Sequence, residues 1–233
     1  MIYIHNRRVK PRTSVKTKVP VTYVRKGVEP PPVTTTFSAW DSSWEEGAKT
    51  GVEEIINQFV LEFIDFPYLH RSESSLHCEL YKELLSNKLL ERTYPLGEWS
   101  IQPVQKDWPE YYRRPGHHRA GTIDVCILSP EEFKVCSLDD FKEGKINPLI
   151  AIEVVLDSDT NQLMQDSQKL LAGGNHDYLI YLVRPGISGD FTAAEQFLLN
   201  CGFKTAYARL ADKQAFYKLI NDQEIKVTKL SQP

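Results

Sequence analysis

Gly121-Thr-Ile-Asp-Val-Cys-Ile-Leu128 and Leu149-Ile-Ala-Ile-Glu-Val-Val-Leu156 are the two stretches that decide the fold. Each is short and almost continuously apolar, a pattern typical of a strand covered on both faces. Each is interrupted by a single acid, Asp124 in the first and Glu153 in the second. A carboxylate in an apolar strand is costly unless it is paired, hydrogen-bonded or bound to metal. Two such acids on successive strands predict a shared site at the sheet edge for a hard cation such as Mg²⁺.

The segments around these two strands alternate between helical and strand patterns. Apolar residues recur at helical spacing from Val52 to Phe63, and Pro67 should end that helix. A second helix is predicted to begin near Ser72, and a third to follow Thr160 as its N-cap. The remaining predicted elements are strands at 99–104, 178–183, 205–210, 216–220 and 225–230, and a helix at 191–199. Strands that flank a helix in this order predict an α/β protein with a mixed central β-sheet and helices on both faces.

Composition restricts the class of protein. With 41% hydrophobic and 25% charged residues among 233, the chain is an ordinary globular protein, and a net charge of -3 excludes a uniformly basic nucleic-acid binder. None of the four cysteines forms a CxxC pair, so a zinc site is not predicted, and Cys78 and Cys126 are expected to be buried. The chain shows no signal-peptide pattern and no membrane-length apolar run, and we expect a reduced, cytoplasmic protein without membrane contact.

The first 40 residues differ from the rest, which predicts a basic, Pro-rich N-terminal arm at 1–40 and a single α/β domain at 41–233. Before Trp40 the only acid is Glu29, and Pro30 to Pro32 favour an extended connector. The basic residues are Arg7, Arg8, Lys10, Arg12, Lys16, Lys18, Arg25 and Lys26. The arm is either a solvated tail with an edge strand, or a segment that grips phosphates or a protein partner.

The order of the acids and strands resembles the PD-(D/E)xK nuclease superfamily. Asp124 matches the first acid, although Ile123 replaces the usual proline, and Glu153 matches the second acid. The resemblance implies a restriction-endonuclease-like core in αβββαβ order, with Mg²⁺ (or Mn²⁺) held by Asp124 and Glu153. The sequence departs from the family at Val155, where the motif lysine is expected.

Lys169, on the predicted helix that follows, is the candidate to replace the missing amine. Gln165 and Lys169 lie four residues apart and share one helix face, and related nucleases carry a Gln-led motif on this helix. The alternative is a surface lysine whose stem lies along the helix.

The family also has a glutamate on its first core helix that reaches the metal. Glu73 falls on the apolar face with Leu76 and Leu80, whereas Glu79 lies at the edge of that stripe. Glu73 can instead be a capping-box acid, so both glutamates remain candidates for the catalytic group.

The loop before Asp124 combines aromatic and basic side chains. Arg113, Arg114, His118 and Arg119, beside Tyr111 and Tyr112, suit a nucleic-acid backbone and splayed bases. The alternative is an ordinary hairpin loop whose tyrosines pack on the core.

Three functions follow from these patterns. The first is a Mg²⁺-dependent DNA endonuclease, as a monomer or a homodimer. The second, favoured by Val155, is an inactive nuclease-like fold that binds nucleic acid or serves as an assembly subunit. The third is an RNA-directed enzyme that uses His117 or His118 without metal.

Overall fold

The strands at the middle of the central sheet have side chains that are buried on both faces. The computed structural model describes residues 42–109, 121–170 and 176–230, and these belong to one compact unit. The predicted arm at 1–40 and the loop residues Arg113, Arg114, His118 and Arg119 lie outside the described residues.

Five helices and nine strands are described. The helices are α1 (Ser42–Asp65), α2 (Glu73–Ser86), α3 (Leu138–Lys142), α4 (Thr160–Leu170) and α5 (Thr192–Asn200). The strands are β1 (Tyr94–Leu96), β2 (Trp99–Ile101), β3 (Val104–Pro109), β4 (Thr122–Ile127), β5 (Ile150–Leu156), β6 (His176–Val183), β7 (Lys204–Ala211), β8 (Gln214–Lys218) and β9 (Lys226–Lys229). A single 3-10 turn, Glu132–Lys134, precedes α3.

The sheet has seven strands in the order β3-β4-β5-β6-β7-β8-β9, and β1 and β2 form a separate hairpin. Strands β5, β6 and β7 are parallel, and the other neighbours are antiparallel. Helix α4 connects β5 to β6, and α5 connects β6 to β7, as parallel neighbours require. The predicted mixed α/β architecture is confirmed.

Two hydrophobic clusters cover the two faces of the sheet. On one face, α1 and α2 pack on side chains such as Val154 and Ile180. On the other face, α4 and α5 pack on side chains such as Val155 and Tyr181. Because neighbouring residues of a strand point to opposite faces, β5 is buried along its whole length. None of the helices within the described ranges is long and apolar enough to cross a membrane.

Three local predictions were wrong. The predicted strand at 99–104 is divided between β2 and β3, because Pro103 has no N–H to continue a ladder. The N-cap of α4 is Asp159, whose carboxylate accepts from the Gln162 N–H at 2.9 Å, and Thr160 is the first helical residue. Cys78 is exposed rather than buried, whereas Cys126 is buried as expected.

Glu53 fastens α1 to the sheet at the edge where β6 and β7 begin. Its carboxylate accepts hydrogen bonds from Tyr178 Oη at 3.0 Å, from Asn221 Nδ2 at 2.9 Å and from Lys204 Nζ. Burial alone would raise the pKa of Glu53, but the bonds from Lys204, Asn221 and Tyr178 outweigh it and lower the pKa. The ionised carboxylate is therefore the form that the fold stabilises.

We predict that Glu53→Gln lowers the free energy of unfolding by about 1–2 kcal/mol at neutral pH. A group whose pKa is lowered by folding stabilises the native state above its unfolded-state pKa, and that contribution is lost as the pH falls through the folded-state value. Urea denaturation of both proteins at several pH values should therefore show a difference that shrinks below about pH 4. A difference that is constant over this range would contradict the assignment.

Candidate active site

The candidate site lies where β4 separates from β5. The last paired residues of the two strands in this direction are Val125 and Ile152. Beyond that pair, Asp124 and Glu153 are the next residues of the two strands. The N–H of Val154 donates to Asp124 Oδ2 at 2.9 Å, and the N–H of Leu156 donates to Glu73 Oε2 at 3.0 Å. Carboxylates therefore satisfy the two β5 amides that β4 no longer reaches.

Glu153 is the buried centre of the site, with no exposed surface. Its Oε2 accepts from Lys169 Nζ at 2.7 Å. Its Oε1 is buried and lacks a hydrogen-bond partner among the described residues. A buried carboxylate oxygen without a partner is costly, so this arrangement favours a further cation or a water molecule at Oε1.

Lys169 extends from α4 on the same face of the sheet as Glu153. Its Nζ lies 2.7 Å from Glu153 Oε2 and 3.0 Å from Asp166 Oδ1, and its side chain is 22% exposed. Val155, two residues after Glu153 on β5, is buried among apolar side chains on this face. The amine beside Glu153 thus comes from the helix that follows β5.

This cluster contains three acids, Asp124, Glu153 and Asp166, and one lysine, Lys169. The imbalance affects the pKa values of Glu153 and Lys169. Burial raises the pKa of the Glu153 carboxyl well above its usual range, and the charge of Asp124 raises it further against the opposing effect of Lys169. Burial would lower the pKa of Lys169, but Glu153, Asp124 and Asp166 outweigh it and raise the pKa. Burial is the main cause of the higher pKa of Glu153, and the neighbouring carboxylates are the cause of the higher pKa of Lys169, so both shifts hold protons in the cluster.

Helix α2 contributes Glu73 and His77 from the opposite face of the sheet. Ser72 is the N-cap and accepts from the Ser75 N–H, so Glu73 is not at the capping-box position and reaches β5 instead. Glu79 bonds Lys82 Nζ at 2.5 Å on the solvent side of the helix. The structure therefore places Glu73, and not Glu79, against β5, at the Leu156 N–H.

His77 was missed by the sequence analysis. It is 6% exposed, and its Nε2 lies 3.4 Å from Asp124 Oδ2 and 3.3 Å from the Val154 carbonyl oxygen. The signal that could have found it is its position four residues after Glu73, which puts both side chains on one face of α2.

Gln165 lies one turn before Lys169 on α4, and its side chain is exposed. It is therefore accessible to a ligand that approaches α4 from solvent. Asp166, its neighbour, accepts from Gln162 Nε2 at 2.7 Å and contacts Lys169. Asp166 thus holds Lys169 from the helix side while Glu153 holds it from the sheet side.

An arginine anchors the start of α2 to the ends of β5 and β6. Arg184 Nε donates to Asp157 Oδ2 at 2.6 Å, and its NH1 donates to the Arg71 carbonyl at 3.2 Å. Asp157 follows β5 directly and has a φ of 53°, a left-handed conformation that is uncommon for aspartate. This ion pair fixes the chain one residue after Leu156, which donates to Glu73.

A group of three or more His, Cys, Asp or Glu side chains arranged to hold a metal ion is not found in the described ranges. The resident donors nevertheless fit a hard cation in two respects, the unpartnered Glu153 Oε1 and the excess negative charge around it. Asp124 and Glu153 are the side chains that would hold the cation. No family model, curated protein or solved structure matches this chain.

We predict that Lys169→Met lowers the free energy of unfolding by about 2–4 kcal/mol in EDTA, because it leaves Glu153 buried without a compensating charge. The double variant Glu153→Gln/Lys169→Met should recover most of this loss, since neither charge is then left unpaired. Urea denaturation of the four proteins of this double-mutant cycle measures the coupling. Additive effects of the two substitutions would show that the contact is energetically irrelevant.

Proposed function

We propose that this protein is a metal-dependent phosphodiesterase that cuts DNA, built on a restriction-endonuclease-like core. The observation that carries the proposal is the contact of 2.7 Å between Lys169 Nζ and Glu153 Oε2. It supplies an amine beside the second motif acid, although the motif position itself is Val155. The chain order α2, β3, β4, β5, α4, β6 also agrees with the order that the resemblance implies, with the β1–β2 hairpin inserted before β3 and a 3-10 turn and α3 inserted before β5.

A bound Mg²⁺ or Mn²⁺ would supply a water of lowered pKa and neutralise charge on the attacked phosphate. The residues of this chain have separate tasks around it. Asp124 and Glu153 provide carboxylate oxygens, and Glu73 holds the end of β5 in place through the Leu156 N–H. Lys169 keeps its proton among the acids, so it donates hydrogen bonds to a phosphate oxygen or to the attacking water and does not act as a base.

The choice of DNA as substrate rests on the family resemblance and on the basic residues of the sequence. The arm at 1–40 and the loop from Tyr111 to Arg119 supply the cations that a polyanion requires. Gln165, exposed on α4, is the described residue that we assign to substrate contact beside Lys169.

We predict that Asp124→Asn and Glu153→Gln each reduce Mg²⁺- or Mn²⁺-dependent cleavage of plasmid DNA at least about a hundredfold, since each removes a carboxylate charge that the cation needs. Lys169→Met should reduce the cleavage rate while DNA binding, measured in EDTA by fluorescence anisotropy, changes little. Agarose-gel time courses give the rates, and circular dichroism confirms that each variant is folded.

Glu79→Gln is the matched control, because it removes an acid from the same helix as Glu73 but on the side of Lys82. It should cleave as the unmodified protein does. Full cleavage by Asp124→Asn or by Glu153→Gln would refute the proposed site. Cleavage that survives EDTA would instead support a metal-independent enzyme.

The second candidate is a nuclease-like subunit that binds nucleic acid but does not cut. Val155 favours it, as does the lack of a three-side-chain metal group in the described part of the chain. We predict for this case that the folded protein binds DNA, that Mn²⁺ gives no heat in calorimetric titration, and that no cleavage occurs. Detectable Mn²⁺ binding that is lost in Glu153→Gln would eliminate this candidate.

A further inference from the structure

The turn between α1 and α2 exposes large apolar side chains. Phe66, Tyr68 and Leu69 are 60%, 64% and 58% exposed, although phenylalanine and leucine are residue types that proteins usually bury. Large side chains of this kind bury about 150–250 Å² each, so the three together leave roughly 300–400 Å² open to solvent. The largest apolar patch on a monomer is of this size and is often a binding surface. We call these three residues the turn patch.

Contacts with the end of β6 hold the turn in place. Tyr68 Oη donates to the Pro185 carbonyl oxygen at 3.0 Å, and Arg184 NH1 donates to the Arg71 carbonyl oxygen at 3.2 Å. The Arg184 guanidinium also lies 5.7 Å from the centre of the Tyr68 ring, and Asp157 fixes it through the hydrogen bond from Nε. The turn patch is therefore presented on an ordered backbone, which reduces the entropy that a partner's binding would cost.

A small groove lies beside the turn patch. Phe59, Phe63 and Leu76 line it from α1 and α2, and Phe66 and Leu69 belong to both the groove and the patch. An apolar projection and an apolar groove thus share one surface. A two-fold contact requires this arrangement, because each copy offers to the other the same surface that it receives.

The charges at the two ends of the turn distinguish among partners. Asp65 precedes the turn patch and Arg71 follows it, and both side chains are exposed and form no ion pair within the described part of the chain. Glu62 and His70, which line the groove, repeat this order of an acid before the patch and a basic side chain after it. Such a surface gives no net attraction for a polyanion, whereas opposite charges on its two sides are complementary to a second copy of itself.

We propose that the turn patch is the contact surface of a symmetric homodimer, in which the apolar turn of each copy lies in the groove of the other. Asp65 of each copy pairs with Arg71 of the second copy. The inference goes beyond the proposed function and does not depend on it. Glu73 begins α2 directly after this turn, so the contact lies at the end of α2 that reaches β5. A patch of this size is at the low end of protein interfaces, and we expect a reversible dimer with a dissociation constant of about 10–100 μM.

The test is sedimentation velocity of the full-length protein over concentrations on both sides of this constant. The average mass should rise from that of one chain towards that of two. Phe66→Glu should keep the protein monomeric throughout, because it places a carboxylate at the apolar centre of the contact. Val135→Glu is the matched control, since Val135 is 82% exposed but follows the 3-10 turn and not α1. It should dimerise as the unmodified protein does.

A charge exchange tests the two-fold arrangement itself. Asp65→Arg and Arg71→Asp should each weaken self-association at least about tenfold, because like charges then meet twice across the contact. An equal mixture of the two variants should associate again, since opposite charges then meet at both places. Circular dichroism confirms that each variant is folded.

Three results would overturn the proposal: a monomer at every concentration, a dimer that Phe66→Glu leaves intact, or a mixture of the charge variants that does not associate. If the protein is a monomer and Phe66→Glu instead abolishes binding of single-stranded DNA, the turn patch is a nucleic-acid surface and not a dimer contact.

Discussion

The separation of β4 from β5 after the Val125–Ile152 pair is the constraint on which the candidate site depends. A strand that loses its neighbour leaves amides that need acceptors, and on β5 these are the N–H groups of Val154 and Leu156. Asp124 and Glu73 fill that need, which gives both acids a structural role whatever chemistry follows. The same gap receives His77 of α2 against Asp124 from one face of the sheet, and Lys169 of α4 against Glu153 from the other face.

The electrostatics of the candidate site follow from the small number of positively charged side chains where β4 separates from β5. Glu153 is buried, and Lys169 is the ammonium that contacts it, while Asp166 shares that ammonium from the helix side. Burial favours neutral groups, and carboxylates in one place repel each other, so the cluster retains protons. A divalent cation competes for the same place as those protons. The cluster therefore holds more carboxylates than the ammonium of Lys169 can neutralise.

The sequence was sufficient to predict the central strands of the sheet, because the patterns that predict them lie within short stretches of the chain. Nearly continuous apolar runs located β4, β5 and β6, and helical periodicity located α1 and α2. The prediction failed where one residue decides the outcome, as at Pro103, which divides a predicted strand between two sheets. The roles of Glu73 and Glu79 could not be separated, since both lie near the apolar stripe and only tertiary contacts distinguish them. His77 was missed because its partners, Asp124 and Val154, are 47 and 77 residues away along the chain, a relation that periodicity does not contain.

The origin of the amine on α4 has a physical consequence for how the site holds together. A lysine on β5 would be fixed by the ladder with β6, whereas Lys169 depends on how α4 packs over Val155 and its neighbours. Because Val155 is apolar, the apolar contact between α4 and the sheet is uninterrupted. Leu163 and Leu170 pack in this contact and are almost completely buried. Asp166 then limits the rotamers of Lys169 from its own helix, three residues away. Val155 therefore leaves the core under α4 without a charged stem, and the helix that carries Lys169 packs on an apolar surface.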